Sequence, residues 1–299
     1  MRRIVLRAFA CSLIAGAWLS LIFVNTPHAE AGLAFDRSFS IAGLPDNNMG
    51  EAIAFFNNHL FISDNSDDIF ITDLNGGLVD GTTLVDLTAV DSLRGLEALS
   101  SGNILVVDED ANRVVELAPD GSVASGGIDF TAPELDESGR GVLLHTGTNT
   151  IFVVEVSTSA PDLETIHEFS QAGALLGSID VRTVLLEGGF GAVNPSPEGL
   201  GFDPFSGHLL LLDDILGHLI ELTTTGTFRA KYDLASISGL LVEPEGVTLD
   251  SSTGKLYIVN DNPVSRVDVY DFVAIPEPAT SVLLIGIALS VSGRRWNLR

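Results

Sequence analysis

A unit of short apolar runs and tight turns recurs five times along this chain, and that recurrence limits the fold more than any other feature. Its fullest form is residues 198–228, EGLGFDPFSGHLLLLDDILGHLIELTTTGTF. There, one apolar run (199–202) meets the turn residues Asp203, Pro204, Ser206 and Gly207, then come a second run (209–212), an acidic break and a third run (219–222). Three strands joined by tight turns is the plain reading. Altered copies begin at Glu51, Glu97, Arg140 and Glu245. A period of about 40 to 50 residues made of strands is that of propeller blades.

The second copy supplies four strands, at 95–99, 103–107, 113–117 and 122–130, whereas the fifth ends after its third, at 266–272. Residues 34–41 form an isolated strand candidate with nothing upstream to pair with. Placed as the outer strand of the last blade, it closes the ring and removes an exposed sheet edge. The expected fold is therefore all-β, a β-propeller of five blades closed by an N-terminal strand, with six blades as the alternative if a loop hides an irregular sheet. The longer interval between the third and fourth copies is assigned to loops.

The repeat fills one domain, residues 32–275, flanked by two tails. Residues 1–31 carry Arg2, Arg3 and Arg7, an apolar run over 8–24, and Ala29-Glu30-Ala31 with small residues where signal peptidase cuts. They read as a signal peptide, with Gly32 the mature N-terminus. The single cysteine, Cys11, lies inside that segment and lacks the setting of a lipid anchor, so the mature chain holds no disulfide. Removing both tails takes away six arginines and two glutamates and leaves a charge more negative than the −25 of the whole chain. Nucleic acid is disfavoured as a partner, because phosphate binding needs clustered Lys and Arg. Cations and cationic partners are favoured.

The copies, with E-G-[LV] followed by D, G-[HK]-L and [DN]-D, resemble the repeats of the SdiA-regulated family and, more distantly, of NHL and gluconolactonase-type propellers. That resemblance covers roughly residues 50–270 and implies a propeller that hosts binders, scaffolds, lactonases or phytases. The third copy departs from it, with Arg140 in place of glutamate. Residues 276–299 resemble the PEP-CTERM sorting signal: Pro276-Glu277-Pro278, an apolar segment over 281–293, then Arg294, Arg295 and Arg299. The resemblance implies an exosortase-like processing enzyme as partner, a transient membrane anchor, and delivery to the envelope, surface or matrix of a Gram-negative bacterium. The apolar segment is shorter than the ~20 residues of a full span.

Enzyme signatures are sparse. The sequence has no G-x-S-x-G, no glycine-rich phosphate loop, no H-E-x-x-H and no cysteine pair. His208 and His218 flank a strand as solvated turn residues. The run from Asp108 to Arg113 starts like a calcium loop, but Arg113 stands where the turn needs glycine and Pro119 where the bidentate glutamate belongs. What remains is a geometric pattern. A hairpin pairs residues symmetrically about its turn, which sets Glu51 beside Asp64, Glu97 beside Asp108, Glu198 beside Asp213 and Glu245 beside Asn260, with Arg140 beside Glu155 as an ion pair. Paired carboxylates around the channel mouth repel unless a cation, proton or donor compensates. Hard oxygen ligands without Cys favour Ca²⁺. The leading expectation is a non-enzymatic exported binder or scaffold with a cation at an acidic mouth. The alternatives are a metal-dependent lactonase- or phytase-like hydrolase, and glutamates that merely tie blades together.

Overall fold

The computed structural model describes residues 32–41, 50–64, 67–84, 87–135, 139–156, 164–191, 194–240, 242–261 and 265–273. Its first strand, β1 (Gly32–Ser40), belongs to the last sheet. The chain then lays down β2 (Gly50–Phe56), β3 (His59–Asp64), β4 (Ile69–Thr72) and β5 (Leu78–Leu84) as one four-stranded sheet. The second sheet holds β6 (Leu93–Ala98), β7 (Ile104–Asp108), β8 (Arg113–Leu117) and β9 (Asp129–Thr131). The third holds β10 (Gly139–His145), β11 (Thr150–Glu155), β12 (Thr165–Ser170) and β13 (Leu175–Asp180). The fourth holds β14 (Pro197–Asp203), β15 (His208–Asp213), β16 (His218–Thr223) and β17 (Phe228–Asp233). The fifth is β18 (Pro244–Asp250), β19 (Lys255–Asn260), β20 (Arg266–Val273) and, outermost, β1. Every pairing is antiparallel between sequence neighbours except that of β1 with β20. This is the five-bladed, strand-closed propeller that the repeat implies.

Local chemistry explains the hairpins. Asn57 and Asn58 adopt φ of 49° and 65°, the two positive values of a type I′ turn, and so bring Phe56 opposite His59. Strands inside a blade are covered on both faces, so they read as unbroken apolar runs rather than alternating ones: all of Ile104–Asp108 is buried. The core is divided into one cluster per blade interface. Between the second and third blades Leu105, Val107 and Val114 pack against Val142, Val153 and Phe169. Between the fourth and fifth, Leu210, Leu212 and Leu219 meet Val247, Leu256 and Ile258.

The innermost strands come together at a neck of glycines. A Cβ added at Gly95 would lie 2.3 Å from the Arg140 carbonyl oxygen, at Gly141 2.5 Å from the Leu200 nitrogen, at Gly199 2.7 Å from the Glu245 oxygen, and at Gly246 2.7 Å from the Ile53 nitrogen. Only glycine admits this backbone approach. The channel at the neck has shrunk to about 10 Å³, lined by Arg94, Glu198, Glu245 and the apolar residues that follow them.

Four details differ from the sequence expectation. The closing strand begins at Gly32 and pairs from Gly32 opposite Val273 to Ser40 opposite Arg266. The extra residues before the fourth blade contain a helix, α1 (Val181–Glu187), rather than loop alone; Asp180 caps it by accepting from the Thr183 N–H at 3.0 Å. A second short helix, α2 (Leu234–Ser238), is capped likewise by Asp233. The fourth strand of the second blade is interrupted after a single bridge between Leu117 and Val123, and the Glu116 carboxylate reaches the Ile128 N–H at 3.0 Å beside the gap.

Two outcomes test this architecture. Deleting residues 32–40 bares the long edge of β20 and costs roughly 1 kcal/mol for each ladder hydrogen bond lost; thermal melts should show a large drop and size-exclusion chromatography should show association. Gly246→Ala forces a methyl group onto the Ala52–Ile53 backbone, and denaturant unfolding should report a loss of about 1–3 kcal/mol.

Candidate functional site

Each innermost strand carries a register shift near its start. Glu51 is the unpaired residue between Gly50 opposite Asp64 and Ala52 opposite Ser63. The same shift falls at Arg94, between Leu93 opposite Asp108 and Gly95 opposite Val107, and at Glu245, between Pro244 opposite Asn260 and Gly246 opposite Val259. In the third and fourth blades the shifts span Arg140 and Glu198. A bulge re-aims the side chain it carries, and after Arg94, Arg140, Glu198 and Glu245 the following glycine pins the backbone to the next blade, while Glu51 is followed by Ala52. The result is a ring of Glu51, Arg94, Arg140, Glu198 and Glu245 at one mouth of the neck.

This ring corrects one expectation. The leading residue of the second copy is Arg94, because Asp108 pairs with Leu93, while Glu97 stands opposite Leu105 further along β6. Glu97 is therefore not beside Asp108. It faces the blade interface, half-buried, and burial pushes its carboxyl up to about 8.

The trailing residues stand off the expected pairing, with Asp64 opposite Gly50, Asp108 opposite Leu93, Glu155 opposite Gly139, Asp213 opposite Pro197 and Asn260 opposite Pro244, and their carboxylates are already engaged. Asp108 accepts from the backbone N–H groups of Asp91, Ser92 and Ala111 at 3.2–3.3 Å. Asp213 accepts from Ser196 and Leu216 at 3.0 and 2.8 Å, and Asp64 from Asp68 at 3.0 Å. These buried carboxylates tie the loop entering each blade to the turn that follows its first hairpin, which is the structural role of a buried acceptor. Asn260 donates to Asp268 at 3.1 Å, itself paired with Arg266. Glu155 does not join Arg140; it reaches His167 at 2.7 Å.

Ion pairs neutralise half of the ring. Arg94 meets Glu51 at 2.8 Å and Glu109 at 2.7 Å; Arg140 meets Glu109 at 2.5 Å and Glu198 at 3.1 Å. Glu109, which the sequence reading passed over, thus bridges two arginines. Its signal was its position directly after the trailing Asp108, the place that Asp214 and Asp261 occupy in later blades. On the other side Glu245 has only carboxylates around it. Burial, with Glu198, Asp261, Glu51 and Asp214 nearby, holds it far above the usual range, at about 10. Burial raises Glu198 to about 7 against the pull of Arg140, and raises Asp261 to about 6 with help from Glu243 and Glu51. Asp214 is raised as well, by burial and by Glu243. The mouth is a crescent of crowded acids closed by a neutralised arc.

Among the described residues no group of three or more His, Cys, Asp or Glu side chains is arranged to hold a metal ion. Of the expected metal residues, Glu51, Glu198 and Glu245 share the mouth, Asp64, Asp108 and Asp213 accept from backbone N–H groups, and Glu97 lies further along β6 opposite Leu105. His208 is no solvated turn residue: it is 2% exposed and bonded to the fully buried Glu221 at 2.6 Å. Residues 1–31, expected as a signal peptide, and Pro276, Glu277, Pro278, Arg294 and Arg295, expected as a sorting signal, lie outside the described residues. Among the described residues no helix is long and apolar enough to cross a membrane.

The chain is similar in fold to solved β-propellers. It matches the glutaminyl cyclase of Myxococcus xanthus with a TM-score of 0.56, at 12% identity over 82% of this chain and 98% of that one. It matches a streptogramin B lyase with a TM-score of 0.48, at 13% identity over 81% and 98% of the two chains. No family model and no curated protein matches the sequence.

The raised acids make stability depend on pH in a stated direction. A carboxyl whose folded value is raised binds its proton more tightly in the native state, so stability is highest below the unfolded value and is lost as pH rises toward the folded one. For Glu245 that window runs from the ordinary 4.5 of a glutamate to about 10. Glu245→Gln should flatten the decline of Tm across this range and raise Tm at pH 8 by about 2–4 °C, the shift of about 1 kcal/mol in a domain of this size. Thermal melts of both proteins from pH 5 to 9 check it.

Proposed function

We propose that this protein is an exported binding module, carried to the cell surface or matrix by its terminal segments, whose acidic mouth takes a cationic group. The observation that carries this reading is Glu245, half-buried between Glu198 and Glu51 with no positive partner among the described residues, while both ring arginines are spent on other acids. A like-charge cluster of this kind is relieved by a proton or by a cation. The oxygen-only lining suits a hard ion such as Ca²⁺, and the mouth around a shut neck suits an ammonium or guanidinium group equally well. Export rests on the sequence of residues 1–31 and sorting on residues 276–299. The retained propeller would then present its mouth to the polysaccharide-rich exterior, where nothing reducing is needed for a cysteine-free domain.

Binding has to displace a proton from Glu245, so affinity rises with pH up to about 10. Mature domain titrated with Ca²⁺ or with a diamine should gain Tm by mass action, about 2.7 kcal/mol of stabilisation at a hundredfold excess over Kd, with proton release seen by calorimetry in two buffers. Glu245→Gln together with Glu198→Gln should remove the gain. A Tm indifferent to millimolar Ca²⁺, to diamines and to chelator overturns the reading, and leaves the crescent as a store of protons that tunes stability alone.

A further inference from the structure

A second chemical device lies on the third blade, away from the mouth. Val153, His167 and Ser178 stand directly opposite one another across β11, β12 and β13, so their side chains share one face. Glu155, two residues from Val153, shares that face and reaches diagonally. The His167 Nε2 lies 2.7 Å from Glu155 Oε2, and its Nδ1 lies 2.9 Å from Ser178 Oγ. A carboxylate only accepts, so Nε2 carries the proton; the remaining nitrogen of a neutral imidazole is then an acceptor, and the Ser178 hydroxyl must donate to it. Nucleophile, base and orienting carboxylate follow in that order.

Access and backbone geometry fit the same role. His167 is 8% exposed, whereas Ser178 is open to solvent on the outermost strand of its sheet. The Val181 N–H bonds to the Glu164 carbonyl at 3.0 Å. Counting back along the antiparallel ladder, bonded and open pairs alternate, which makes His167 and Ser178 an open pair. Open pairs hold their side chains closest, and the Ser178 backbone N–H points outward at the free sheet edge. It is a backbone donor that this strand offers to the carbonyl oxygen of an ester attacked by Ser178 Oγ. Leu175 and Leu176, 43% and 56% exposed, precede it on the strand and offer apolar surface to an acyl chain.

We infer that Ser178, His167 and Glu155 form an acyl-transfer site for carboxylic esters of small alcohols. Ser178 Oγ bonds to the ester carbonyl carbon as its proton passes to His167 Nδ1. The bond to the alkoxy oxygen then breaks, and the alcohol leaves with that proton. Water, deprotonated by the same nitrogen, releases the acid and restores the serine. Glu155 is a positioning residue that keeps the proton on Nε2. One oxyanion donor in place of the usual pair makes turnover slow, so covalent capture is the sensitive readout.

The test is exposure of the purified protein to diisopropyl fluorophosphate, with mass spectrometry to locate the adduct, and to p-nitrophenyl acetate. The expected result is a diisopropylphosphoryl adduct at Ser178 alone, abolished in Ser178→Ala. His167→Gly lowers the labelling rate at least about 100-fold, the lower end of what a general base contributes, and added imidazole restores part of it. Glu155→Gln lowers kcat for p-nitrophenyl acetate with KM unchanged. Wild-type protein labelled no faster at Ser178 than at its other exposed serines, or a His167→Gly protein labelled as fast as wild type, overturns the inference without reference to the stability of any variant.

Discussion

The approach of the innermost strands to within the reach of a Cβ atom is the constraint on which the rest of this propeller depends. Four glycines, Gly95, Gly141, Gly199 and Gly246, each give up a side chain so that one blade's first strand can touch the backbone of the next. That contact fixes the radius of the ring and shuts the channel. It also explains why four of the five copies are written as a charged residue followed by glycine: the glycine makes the neck, and the bulge just ahead of it turns the charged side chain out toward the mouth.

Drawing five charged residues onto one small circle creates an electrostatic problem with no symmetric answer, because an odd ring cannot alternate in sign. The chain resolves most of it by inserting Glu109 between Arg94 and Arg140, giving an alternating run from Glu51 to Glu198. Glu245 is left over, between two acids. The packing that forms the neck also strips it of water, so crowding and burial act in the same direction and the proton stays. The chemical character of the mouth is thus a consequence of blade number as much as of composition.

The architecture was legible in the sequence because each blade is locally complete: three or four runs, turn residues at fixed offsets, and a lone N-terminal strand with one vacancy to fill. The ring was legible only in part. Counting hairpin partners from the turn ignores the bulge, and in the second copy the string Glu97-Ala98-Leu99 mimicked the repeat start while the true signature was Arg94-Gly95-Leu96. The trailing aspartates were found, but what their oxygens do depends on loops from the preceding blade, as with Ser92 and Ser196, which no hairpin argument contains. The link from Ser178 to His167 is set by the β12–β13 hairpin turning at Gly173, whose register shift hides it from simple counting.

Two His–Glu pairs in adjacent blades show why residue identity alone does not define a site. In the fourth blade His208 and Glu221 are sealed, at 2% and 0% exposure, and the Tyr232 hydroxyl donates to the other oxygen of Glu221 at 3.1 Å. There the carboxylate is the centre of the network, and both the imidazole and the phenol point at it. Such an arrangement satisfies buried polar groups and fixes the packing of three strands. In the third blade the order is reversed. The imidazole is central, with the carboxylate on its inner side and an exposed hydroxyl on its outer side. A proton can therefore move between the hydroxyl and a base already oriented to receive it, and an incoming carbonyl can reach the oxygen. The difference lies in which strand carries the histidine: β15, second in the fourth blade, is covered on both faces, whereas β12 is third in its blade, with only the edge strand beyond it.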